Sequence, residues 1–143
     1  MIDFADVKAA IQARMTDLWA ATPITSVAFE NGAFTPPTDG SGWVRLYVME
    51  QKSQKPLQWT APETAAQRLA GRVYVVGHVP KGTGDAALEQ MLTAAKTLFE
   101  GQTFASISAK IEVQESTAVL AGPDGQAPWF KKLIMLPFWA KPL

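Results

Sequence analysis

The sequence predicts an α+β fold: a twisted, mainly antiparallel or mixed β-sheet with two α-helices packed on one face. Three observations lead there. Two segments, near 4–18 and 86–99, repeat apolar residues every three or four positions. Several others alternate apolar and polar residues, so strands outnumber helices. Near the end, Gly122-Pro123-Asp124-Gly125 has the turn chemistry expected between antiparallel strands. At 143 residues the chain suffices for one hydrophobic core and is short for two, so residues 1–143 read as a single domain.

From Asp3 to about Trp19, Phe4, Val7, Ile11, Met15 and Leu18 form one apolar stripe, Asp3 serves as cap, and Asp6 adds negative charge to the first turn. Pro23 ends the helical option. A short strand is expected around Ser26 to Phe29, followed by an Asn31-Gly32 turn. Pro36 and Pro37 force extended backbone, and the 38–42 loop delivers Trp43 to a strand reaching about Met49. In it Val44, Leu46 and Val48 share one face, while Trp43, Arg45, Tyr47 and Met49 share the other.

Residues 50–66 break the pattern with two prolines and many polar groups, and read as a long loop or hairpin arm carrying Trp59. An indole there either tucks back onto the domain or meets another protein. The next strand runs from Arg68 to Val79, with Val73 and Val75 opposite Tyr74, Val76 and His78; Gly71 and Gly77 mark close backbone approach or bulges. A helix from about Ala86 to Phe99 follows, capped by Asp85 or Thr83 and stopped by Gly101, with the stripe Leu88, Met91, Leu92, Ala95, Leu98 and Phe99. Ile107, Ala109, Ile111 and Val113 alternate with polar residues as a half-buried strand. Val119 and Leu120 finish that strand or begin the hairpin, and Trp129 to Trp139 returns as the last strand. Pro137 within it implies an edge or a strand end.

Composition narrows the chemistry. The absence of cysteine excludes disulfides and thiolate catalysis, and the single histidine, His78, leaves no histidine pair for a metal within one chain. Thirteen basic and thirteen acidic residues argue against a nucleic-acid coat or a polybasic membrane surface. The acidic N-terminus and the lack of a long apolar run predict neither a secretory signal nor a membrane span. Lys81-Gly82-Thr83-Gly84-Asp85 lacks phosphate-loop spacing and reads as a strand-to-helix turn. His78 has no visible nucleophile to serve, and Glu112 and Glu115 read as a solvated strand face rather than a catalytic pair. No catalytic residue, cofactor or metal ligand is expected.

The surplus is apolar and aromatic. Hydrophobic residues make up 48% of the chain and charged ones 18%, and fourteen aromatics exceed what the centre of a small two-layer domain hides comfortably. Phe34, Trp43, Trp59, Trp129 and Trp139 fall in loops or at strand ends, where they either cap the core's open edges or form interfaces. Through residue 44, Lys8 and Arg14 stand against five acids, whereas Lys131, Lys132 and Lys141 follow the last acid. This polarity suits steering between copies or toward another protein.

The run Glu30-Asn31-Gly32-Ala33-Phe34-Thr35-Pro36-Pro37, followed by Trp43-Val44-Arg45, resembles the opening signature of the small phage tail terminator-like proteins. The Arg72 strand leading to Val79-Pro80-Lys81-Gly82-Thr83-Gly84, then Leu98-Phe99-Glu100-Gly101 with Thr103-Phe104, and the close from Trp129 to Leu136-Pro137-Phe138 resemble the family's later blocks in order. The polar 50–62 stretch departs from the family pattern in being less glycine-rich.

The resemblance implies a structural protein of a phage, prophage or gene-transfer particle with a long non-contractile tail. It implies a ring, of six copies by resemblance, that caps the tail tube, ends its polymerisation and presents the surface joining the head-tail connector. It would work in the host cytoplasm during assembly and remain in the virion tail, with tail-tube and connector proteins as partners and no sequence-specific nucleic-acid contact. On that template the interface residues are Phe34, Pro36 and Pro37 as a rigid shelf, Trp43, Arg45 and Tyr47 on an exposed strand face, Trp59 on the arm, and Lys131 and Lys132. The alternatives are a head-to-tail connector completion protein and, further off, a small-ligand or enzymatic domain, which would need a closed pocket with converging polar groups.

Overall fold

The computed structural model describes residues 2–19, 26–30, 32–51, 68–123, 125 and 127–143. Helix α1 (Phe4–Trp19) begins where Asp3 Oδ1 accepts the Ala5 amide at 3.0 Å, the cap its position predicts. Its buried stripe is Val7, Ile11, Met15 and Trp19. Trp19 completes the four-residue series, and Leu18, expected in the stripe, is rotated outward and 37% exposed. Helix α2 (Ala86–Phe99) buries all six residues of its predicted stripe. Asp85 is its N-cap by position but makes no side-chain capping bond, and Gly101, at φ 70°, ends the helical run as expected.

Seven strands form one sheet against these helices: β1 (Ser26–Phe29), β2 (Trp43–Gln51), β3 (Leu69–Pro80), β4 (Thr103–Ala105), β5 (Ala109–Val113), β6 (Thr117–Pro123) and β7 (Trp129–Pro142). The order is β1-β2-β3-β7-β5-β4, with β6 also on β7. The β1–β2 pair is parallel and the other pairs are antiparallel, so the sheet is mixed. The predicted α+β class, with two helices on the sheet, is the observed one. The three-residue β4 carries too little pattern to be read from sequence.

Strand β2 continues through Gln51, which pairs with Ala70, so residues 50 and 51, expected to open a long loop or hairpin arm, are paired in the strand. The rest of the expected 50–66 arm, with Trp59, lies outside the described residues, as do Pro23 and Asn31. Ile107, expected to open the alternating strand, sits in the turn before β5 and is 91% exposed, while Ala109, Ile111 and Val113 are buried. Val119 lies at a register irregularity of β6 and belongs to the hairpin with β7.

Strand β7 corrects the edge expectation for Pro137. It is interior, pairing with β3 on one side and with β5 and β6 in succession on the other. Pro137 falls between the two successive partners, opposite residues 114–116, and its carbonyl accepts the Gln114 amide at 2.8 Å. In an antiparallel strand a residue's N–H and C=O point to the same side. The missing N–H therefore faces the end of β5, where the ladder stops at Val113, so the proline forgoes at most the one reciprocal bond to Gln114 at that seam.

The core lies between the helices and one sheet face. Val44, Leu46 and Val48 of β2, Val73 and Val75 of β3, and Ile134, Leu136 and Phe138 of β7 are buried there. Two glycines mark close approach, as their sequence context suggests. A Cβ at Gly77 would stand 2.6 Å from Leu88 Cδ1, and one at Gly71 would occupy the space of the Phe138 ring. Seating Leu88 fully against β3 removes its side chain from water, a gain of about 1.5–3 kcal/mol.

Candidate functional site

Among the described residues both helices lie on one face, and the other face of the central strands carries no helical layer. Register decides which residues meet on it. Trp43 pairs with His78 and His78 with Lys131; Arg45 pairs with Val76 and Val76 with Leu133. Tyr47, Tyr74 and Met135 make a third row. Because alternate residues share a face, these rows form a contiguous patch across β2, β3 and β7. The first two rows and Tyr47 line an open trough of about 530 Å3 reaching from Trp43 and Lys131 to Tyr47 and Leu133.

The Trp43 end of the trough is aromatic. The His78 imidazole stacks on Trp43 at 3.7 Å with 1° between planes, Phe34 tilts against the same indole at 4.9 Å, and Trp129 meets it edge-on at 6.0 Å. The Arg45 guanidinium lies 5.4 Å from the Trp43 ring, near enough for cation–π attraction. Trp43 is only 5% exposed, which corrects the expectation of an exposed Trp43: the loop carrying Phe34 and the neighbouring strands cover it. Arg45 and Tyr47 are half-buried beside it. Trp43 Nε1 and Arg45 Nε are buried donors with no hydrogen-bond partner among the described residues.

Of the other residues singled out from sequence, Lys131 joins the trough, Pro37 is half-buried and Pro36 exposed on the Phe34 loop. Lys132 is not part of the site. It pairs across with Gly77, on the helix side, and its ammonium bonds Glu89 of α2 at 2.5 Å. Trp129 is half-buried, and Trp139 is 39% exposed with the Arg68 guanidinium 5.8 Å from its ring. Val76 and Leu133 were not expected in an interface, and His78 reads from sequence as a structural histidine or an interface residue. Their alternation was visible, but the register that sets them beside Trp43 and Arg45 was not.

The remaining polar chemistry holds loops in place. Asp6 accepts bonds from Ile107 N at 3.2 Å, Ser108 N at 2.9 Å and Ser108 Oγ at 2.6 Å. Hydrogen bonds from Ser106 and Ser108 lower its pKa to about 2. Burial works against the Glu30 carboxylate, but Lys8 at 2.7 Å and the Val48 amide outweigh it and hold its pKa below the usual value. Ser116 does the same for Glu100 through its hydroxyl and amide. Lys81, at the glycine-rich turn, donates to Gly125 O at 3.0 Å and so ties that turn to the β6–β7 hairpin tip. Glu112 pairs with Lys141 at 3.4 Å. Among the described residues there is no group of three acidic or histidine side chains able to hold a metal, and no helix long and apolar enough to cross a membrane.

The trough is open and its lining mixes the aromatic and apolar Trp43, Tyr47, Val76 and Leu133 with the cationic Arg45 and Lys131. One solved structure, whose name states no function, is similar with a TM-score of 0.67 at 25% identity, over 98% of this chain and 96% of its own. No curated protein matches the chain. The family model described as "Phage tail terminator protein" matches residues 6–137. The chain therefore belongs to the phage tail terminator family, whose members are structural, non-catalytic proteins that end tail-tube assembly, in the host cytoplasm during assembly and in the virion tail thereafter.

Proposed function

We propose that the helix-free sheet face is the surface through which copies of this protein associate into a ring on the end of the tail tube, six copies by resemblance. The opposite side of that ring meets the head-tail connector. The observation that carries this reading is the trough itself, where Arg45, Val76 and Leu133 form a row beside Tyr47 that no helix among the described residues covers, next to two buried donors that find no acceptor among those residues. Burying an unsatisfied donor costs roughly 1–3 kcal/mol, and an associating chain that supplies a carbonyl or carboxylate removes that cost. Apolar side chains in the same row contribute the area that holds the partner.

Phe34, Pro36 and Pro37 form the rim of the surface, and Trp59 contributes from the arm outside the described residues. Polymerisation stops because one side of the ring fits the last tube subunits while the other does not repeat the tube's own growing surface.

The test is electron microscopy of tail tubes assembled with the matching tube protein in the presence of this chain. Tubes of limited length ending in a ring support the reading. Tubes capped without a ring, or a Leu133→Asp variant that caps as well as the native chain, would remove the helix-free face from the interface. Trp59→Ala is expected to weaken tube association more than folding, and paired melting and binding measurements with the reverse ordering would exclude that role.

A further inference from the structure

We propose that the occupant of the trough is the β4–β5 turn of a second copy of this chain, with Ile107 as the anchoring side chain. The inference rests on the ring reading and specifies its contact. Ile107 is 91% exposed, the most exposed of the large hydrophobic side chains among the described residues. An isoleucine on a mobile tip would be unremarked, but this one is held. Asp6 accepts the Ile107 and Ser108 amides and the Ser108 hydroxyl, and Ser106 closes the turn by exchanging bonds with Ala109 at 2.8 and 3.0 Å. An apolar side chain presented on a turn with this many bonds is pre-organised, so little ordering entropy is lost when it docks.

Charge and position point to the trough as its seat. The tip carries the Asp6 carboxylate on the Ile107 and Ser108 amides, whereas the trough is lined by Arg45 and Lys131 and by no acid among the described residues. The two features also lie far apart on one molecule. The turn adjoins Ala109, which pairs with Pro142 at one end of β7, while Lys131 and Leu133 lie toward the other. At about 3.4 Å per residue that separation is roughly 30 Å. A copy cannot fill its own trough, and a tip at one end seated in a trough at the other propagates head to tail, closing when the rotation permits.

The chain has no native cysteine, so cross-linking reports the contact directly. Ile107→Cys and Leu133→Cys singles, mixed and oxidised, are expected to give mixed dimers, and the double variant a ladder ending in a closed ring, with or without tail tubes. Ile107→Asp, at an exposed site that leaves folding intact, is expected to weaken self-association about 10- to 100-fold, the loss expected from one docked isoleucine. Native rings on tubes with no cross-link in the mixture would overturn this contact and leave the ring reading standing. A ladder stopping at dimers would overturn head-to-tail seating. Tubes that carry no ring with the native chain would overturn both.

Discussion

The imidazole of His78 lies flat on the indole of Trp43, 3.7 Å between centroids, across neighbouring strands at one end of the trough. This stack fixes the floor on which Arg45 rests, so it couples stability to the docking surface. Trp43→Ala is expected to lower the unfolding free energy by about 3–5 kcal/mol. His78→Ala should forfeit about 1 kcal/mol of ring-on-ring attraction beyond the area it uncovers. Denaturant unfolding of both variants checks the order; a His78→Ala loss equal to that of Trp43→Ala would contradict it.

Asp6 links acidity to the presentation of Ile107. Its pKa is depressed to about 2, so its contribution is complete above the unfolded value near 3.8 and disappears as pH falls through about 2. Amide exchange at Ile107 and Ser108 should therefore accelerate between about pH 4 and pH 2, relative to the global unfolding rate. In Asp6→Asn the exchange should be fast already at neutral pH, with the acid-dependent step absent.

The two glycine seats in β3 predict overpacking. Gly77→Ala drives a methyl into Leu88, and Gly71→Ala drives one into Phe138. Each should cost about 1–3 kcal/mol, visible as a lower urea midpoint at unchanged slope.

Pro137 and Lys132 predict tolerance. Since the proline nitrogen faces a seam between partner strands, Pro137→Ala should shift stability by less than about 1 kcal/mol. Lys132→Ala removes a largely exposed ion pair with Glu89, worth under about 1 kcal/mol, and should leave ring formation unchanged. A loss of assembly in Lys132→Ala would return that residue to the interface.

These particulars show what periodicity reveals and where it stops. The α2 stripe was legible in full because Leu88 to Phe99 repeats at the helical period against a single sheet face. In α1 the same period admits Leu18 or Trp19 as its last member, and contact with the core selects the indole. Alternation identified both faces of β2, but the coverage of Trp43 depends on the distant Phe34 and His78, which a local pattern does not contain. Ile107 continues the apolar alternation of β5, yet Asp6, about a hundred positions earlier, recruits its amide into a turn. Pro137 was misread because strand pairing is non-local: a proline forbids a ladder donor only where a ladder partner exists.

Strand β7 has one more implication, for the order of events during synthesis. It is the partner of β3, β5 and β6 alike, so none of those three completes its pairing until residues 129–142 have left the ribosome. The nascent chain must hold an unfinished edge on β3 through the making of α2 and everything up to the hairpin. Such late, long-range closure slows folding and leaves a window for mispairing with other nascent copies, and α2, which packs on the face of β3 and not on its edge, does not close that window.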